Sequence, residues 1–141
     1  MIQKILLRAA SVAMLVHDAV HTYRILLWRE TDDPHQQEVI RLMTTQRFPF
    51  VGVMRSMGDR FEGFFLADSL ALLFFAIVFW LISNDPKSSL ARNILIAMFA
   101  ILTPWWIVEL IYLFPGAGLM TLAAWLLSGV VLLRMKPTAT Q

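Results

Sequence analysis

Apolar positions along the chain gather into long blocks separated by short polar breaks. Residues 63–82 carry one charge, Asp68, and residues 94–114 carry one, Glu109. Residues 116–133 carry none. At 1.5 Å per residue these blocks are close to the length that crosses ~30 Å of hydrocarbon, the third being slightly short. A fourth block, 5–28, is long enough but includes Arg8, His17, Asp18, His21 and Arg24. A charge at mid-bilayer costs ~2.5–3.5 kcal/mol on insertion scales, so this helix is expected to face partners inside a bundle. The pattern predicts helices over about 5–28, 61–82, 92–114 and 117–135. The expected fold class is all-α: a four-helix bundle integral to the membrane, forming a single transmembrane domain over 1–141.

The breaks between blocks are unequal. Residues 84–89 form a tight polar turn around Pro86, and Pro115-Gly116-Ala117-Gly118 is a breaker cluster suited to a short hairpin. Between Arg29 and Arg60 lies one long connection. Within it Asp33 followed by Pro34, with Gln36 next but one, is a helix start, a capping carboxylate ahead of proline at the first helical position. That helix is expected to run to about Gln46 with Val39, Leu42 and Met43 on one side. Residues 48–54, Phe-Pro-Phe-Val-Gly-Val-Met, are apolar yet too short to span. The stretch of about 34–57 therefore reads as an interfacial helix followed by an interfacial or re-entrant element, with a plain surface loop as the alternative.

Composition supports the membrane reading. Apolar residues make up 58% and charged residues 16% of the 141, against roughly 45–50% and about 25% in soluble domains. A soluble fold of this size has no interior large enough for that excess. With 12 basic against 10 acidic residues, and no basic run interleaved with aromatics, nucleic acid is set aside as a partner. The absence of cysteine removes disulfides, thiol nucleophiles, iron–sulfur clusters and c-type haem attachment. Arg8 interrupts the first apolar stretch and no small-x-small cleavage site precedes Asp18, so a retained first helix is expected in place of a cleaved signal. With four spans both termini share a side. Lys4, Arg8, Lys87, Arg92, Arg134 and Lys136 gather there against Asp85 alone, which favours cytoplasmic termini.

The candidate chemistry follows from where the intramembrane polar residues fall. On the first helix Ala10, Met14, His17, His21, Arg24 and Trp28 repeat at spacings of 4, 3, 4, 3 and 4, a single seam. Phe61, Phe65, Asp68, Leu72, Phe75 and Phe79 form the second seam, and Leu102, Trp105, Glu109 and Tyr112 the third. On the fourth helix Thr121, Trp125 and Ser128 are the comparable set, without charge. Counting inward from Trp28, Phe61 and Phe114 puts His21, Asp68 and Glu109 in one layer about 8–10 Å below the loop-side face. These three are the candidate acid–base residues. His17, His21, Arg24, Asp68, Trp105, Glu109 and Tyr112 are the candidate ligand-binding set.

Several functions fit such a set, since ionisable groups inside a membrane are functional candidates by default. One is a pocket for a lipophilic ligand with a polar head, such as a quinone, an isoprenoid or a lipid. Another is acid–base catalysis on a lipid, with His21 or Glu109 moving protons. EXPERA-type sterol isomerases are similar to it at the level of a membrane bundle bearing histidine, carboxylates and tryptophan, without matching spacings. A metal site is disfavoured: His17 and His21 share a face, but the Glu-x-x-His motifs of a di-iron bundle are missing. The remaining reading is a structural subunit whose buried ion pairs only hold the helices.

The overall plan resembles the small DoxX-like bacterial membrane proteins: four helices, no cysteine, and an apolar second helix opening with Glu62-Gly63-Phe64-Phe65. That resemblance implies a bacterial inner-membrane protein tied to quinone redox systems, as an accessory redox or membrane-complex subunit. It carries no residue roles. Membrane lipids and a lipophilic small molecule are the expected partners, and a second membrane protein or a homo-oligomer stays open.

Overall fold

The computed structural model describes residues 1–135; Lys136, invoked above for orientation, lies outside them. Along the described residues the order is α1 (Ile2–Leu26), α2 (Pro34–Thr45), β1 (Arg47–Phe50), β2 (Val53–Ser56), α3 (Met57–Ile82), α4 (Ser89–Tyr112) and α5 (Pro115–Arg134). α1, α3, α4 and α5 are long and apolar enough to cross a membrane. α1, α4 and α5 begin two to three residues before the expected starts and α3 begins four before, while three of the four end one or two residues early.

The helix ends are set by local chemistry. Asp33 caps α2, its carboxylate accepting from the His35 N–H at 2.9 Å ahead of Pro34. At the start of α3, Ser56 N–H donates to Asp59 Oδ2 at 2.9 Å while Asp59 N–H donates to Ser56 Oγ at 3.0 Å. This reciprocal capping box satisfies two orphan donors and fixes the chain entering the span. Ser88 caps α4 through the Ala91 N–H, and Pro115 opens α5.

The chain divides into two compact units, Met1–Asp18 with Leu72–Gln141, and Ala19–Ala71. In the first, all four long helices contribute to one apolar core that includes Leu7, Ala10, Met14, Leu72, Phe79, Leu95, Leu102, Ala124 and Val131. Ser11 is buried among them and donates to the Ala76 carbonyl at 2.7 Å. α4 and α5 approach closely at Gly118. A Cβ there would lie 2.6 Å from the Leu110 side chain and 3.1 Å from its backbone nitrogen. The opposite side of α3 presents Leu66, Leu70, Phe74, Ile77 and Leu81 to its surroundings. Apolar stripes of this kind on a spanning helix face hydrocarbon, where they cost nothing.

The second unit holds the long connection. The stretch 48–54, expected as an interfacial or re-entrant element, lies in a two-stranded hairpin: β1 and β2 pair antiparallel, Phe50 opposite Val53 and Arg47 opposite Ser56. The two-residue turn is Val51 at φ +46° and Gly52 at φ +83°. Both residues take positive φ, as a type I′ turn requires, and the twist of that turn matches the twist of the strands. The end of α2 passes so close to the start of α3 that a Cβ on Gly58 would meet Thr44 Cγ2 at 3.0 Å.

Candidate functional site

Each of the two units holds one histidine facing one carboxylate. In the first, His17 on α1 is 1% exposed. Its Nδ1 lies 3.1 Å from the Thr121 hydroxyl of α5, and its Nε2 lies 3.7 Å from Glu109 Oε1 of α4. That same carboxylate oxygen accepts the indole N–H of Trp105 at 2.8 Å, and the Trp105 ring meets Phe75 edge-on at 5.5 Å. The Glu109 side chain is 3% exposed. A carboxylate so enclosed must be neutral or matched by nearby donors and charge, and the indole N–H and imidazole are aimed at it.

In the second unit His21, one helical turn further along α1, is also buried, but its carboxylate is not. His21 Nε2 lies 3.4 Å from Asp68 Oδ2 and 3.2 Å from the Phe65 carbonyl, while its ring stacks on Phe65 at 4.7 Å. The Asp68 side chain is 27% exposed. Beside the pair, the Thr22 and Ser69 hydroxyls meet at 2.9 Å. Towards the loop, Phe61 stands 4.4 Å from Phe65 and 5.0 Å from Trp28. Glu62 accepts from the Trp28 indole at 2.9 Å and from Arg29 Nε at 3.0 Å. Aromatic rings backed by an ion pair suit the depth where apolar and polar surroundings meet.

The expected seven thus divide. His21 and Asp68 come together in the second unit, and His17, Glu109 and Trp105 in the first. Arg24 and Tyr112 differ from expectation. Arg24 is exposed, because the α1 seam passes from His21 to Ile25, an apolar residue that is cheaper to bury than a guanidinium. Tyr112 closes α4 and is 77% exposed, so the α4 stripe ends at Glu109. Residues passed over as candidates also enter. Thr121, noted in the sequence only as an uncharged member of its seam, is the hydroxyl that meets His17. The backbone carbonyl of Phe65 has no signal in the sequence at all. Glu62, quoted above only as part of a motif, ties Trp28 and Arg29 to α3.

Among the described residues, no three His, Asp or Glu side chains gather as a metal-binding group. The first unit also carries a groove of about 450 Å³ on α4 and α5, lined by residues that include Phe99, Trp125, Gly129 and Leu133. It is apolar throughout and holds no ionisable side chain.

Four helices long and apolar enough to cross a bilayer, with ionisable pairs along them, are the mark of an integral membrane protein. Neither the protein-family models, nor the curated proteins, nor the solved structures contain a match to the chain.

Proposed function

We propose that this is a small integral membrane protein that binds a lipophilic molecule with a polar head, and that His21 and Asp68 receive that head. The observation that carries the reading is the partial exposure of Asp68 beside a buried imidazole, on a helix that bears no other charge between Gly63 and Ile82. A partly exposed carboxylate on a spanning helix is a place where a polar head can add to the contacts Asp68 already makes. Asp68 offers the carboxylate acceptor, the buried His21 stands behind it with Nε2 turned towards it, and Phe65 and Phe61 supply flat apolar surface for a ring or an isoprenoid chain. The hydroxyl of an isoprenoid alcohol, of a reduced quinone or of a lipid headgroup can donate to the Asp68 carboxylate, whereas a quinone carbonyl accepts and would need an N–H or a protonated carboxyl.

A second role has its own support. The His17–Glu109 pair, at 1% and 3% exposure, is closed off, which favours a structural use that fixes α1, α4 and α5 in register. For orientation, Lys4, Arg8, Lys87, Arg92 and Arg134 against Asp85 favour cytoplasmic termini in a bacterial inner membrane. The DoxX-like layout favours service beside a redox or other membrane complex.

The test is extraction. Protein purified in a mild detergent is stripped with organic solvent and the extract analysed by mass spectrometry, for the wild type, Asp68→Asn and Glu109→Gln. A lipophile enriched with the wild type and with Glu109→Gln, but depleted several-fold with Asp68→Asn, is the expected result. Equal retention in all three removes the proposal.

A further inference from the structure

The hairpin of β1 and β2 has no core of its own. Phe48, Phe50, Val53 and Arg55 share one face and Arg47, Pro49, Met54 and Ser56 the other, as the pairing register requires. Of these eight only Ser56 is buried. An isolated two-stranded hairpin is at best marginal in water, and one that leaves aromatic or aliphatic side chains open on both faces loses the burial that would hold it together. At its tip Val51 is 90% exposed and held at φ +46°, a region β-branched residues avoid. The hairpin is nevertheless tied firmly at its foot. Ser56 closes the capping box of α3 there, and nearer the tip the Arg60 guanidinium sits 4.2 Å over the Phe50 ring. β2 runs straight into a membrane-spanning helix, so both apolar faces stand at the end of that span.

Charge completes the picture. Residues 39–60 contain Arg41, Arg47, Arg55 and Arg60 against Asp59 alone, which the α3 capping box engages, whereas 30–38 contain Glu30, Asp32, Asp33 and Glu38. Each face of the hairpin carries one arginine at its foot, with the apolar residues towards the tip. A ribbon with open backbone edges cannot lie in hydrocarbon, where its unpaired N–H and C=O groups go unsatisfied. It can lie in the headgroup layer, with Phe48, Phe50, Val51 and Met54 against the upper acyl chains and the guanidinium groups on lipid phosphates.

We propose that the hairpin is a lipid-docking element that inserts edgewise into the headgroup layer and prefers anionic phospholipids through Arg47 and Arg55. The aromatic and aliphatic side chains set its depth and the arginines its lipid preference.

The chain has no cysteine, so Val51→Cys gives a unique site for an environment-sensitive nitrobenzoxadiazole label. The labelled full chain is reconstituted into vesicles of phosphatidylcholine, alone or mixed with phosphatidylglycerol, after its helical circular dichroism is matched to the wild type. The expected result is blue-shifted emission, protection from aqueous iodide, and quenching by lipids brominated near the glycerol more than by those brominated deep in the chain. Phosphatidylglycerol should strengthen the shift. Arg47→Gln and Arg55→Gln should each require roughly fivefold more of it for the same shift. Water-like emission with full iodide quenching would overturn the proposal. Protection from both iodide and bromolipid, with self-quenching that grows with protein density, would overturn it in favour of a second copy pairing along the open strand edge. An unchanged response to phosphatidylglycerol in the arginine variants would overturn the charge preference.

Discussion

The two histidines of α1 stand four residues apart and meet carboxylates under opposite conditions. His17 and Glu109 are sealed, with Thr121 and Trp105 taking up hydrogen-bonding positions around them. His21 is equally buried, but Asp68 keeps about a quarter of its side chain open. The same two kinds of side chain, an imidazole and a carboxylate, are therefore held in different surroundings. Enclosure on every side makes a pair costly to break and hard for a ligand to reach. Enclosure of one partner alone leaves a polar group that a ligand can meet.

The largest effect should come from Glu109→Ala. It strips the indole N–H of Trp105 and the imidazole of His17 of a shared buried partner, a change worth about 3–5 kcal/mol. Unfolding in mixed detergent and dodecyl sulfate measures it, and Glu109→Gln should recover much of the loss because an amide oxygen still accepts from Trp105. If both variants unfold like the wild type, the sealed pair has no structural role.

Asp68→Ala should cost less, about 1 kcal/mol in the same assay, since Asp68 at 27% exposure is less enclosed than Glu109 at 3% and has fewer buried contacts to lose. A loss equal to that of Glu109→Ala would erase the contrast between the pairs.

Outside the spans the effect should vanish. Glu38 and Arg41 pair on the exposed face of α2, and the hydrogen bond from Arg41 holds the Glu38 carboxyl below its usual range. With a lowered folded-state value, whatever stability the pair adds is present above the ordinary glutamate range and is lost as pH falls from there through the lower folded-state value. Because both groups stand in solvent, Glu38→Gln should leave the unfolding transition where it is at neutral pH. A measurable loss would show that α2 is held more tightly than its exposure implies.

How far the sequence reaches can be judged from particular residues. Length and hydropathy mark the four long helices, because a bilayer imposes one length on every span. Seam spacing brings Leu72, Phe75 and Phe79 inward as expected, and it points His17, His21 and Glu109 inward as well. Spacing fails at Arg24, where two neighbouring positions both fit the period and the cost of burying a guanidinium decides for Ile25. It fails again at Tyr112, where the helix simply ends. Pairing is harder to read than inward direction: Glu109 meets His17 and Asp68 meets His21, a choice that depends on the neighbouring helix, not on the residue's own period. The hairpin was least legible. Pro49 and an apolar run without alternation hide the strands, and Val51-Gly52 lacks the usual first residue of a primed turn.

The contrast between the two pairs can be tested directly, because the chain has only three histidines and His35 lies outside the spans. Imidazole ¹⁵N resonances, assigned by single His→Asn substitutions, are recorded for delipidated protein in nanodiscs during titration with decylubiquinone, geranylgeraniol or phosphatidylglycerol. The account predicts that at least one of these lipophiles shifts His21 in a saturable way, that Asp68→Asn abolishes the shift, and that His17 stays fixed. A His17 that moves with the lipophile, or a His21 that responds to none of the three, would contradict it.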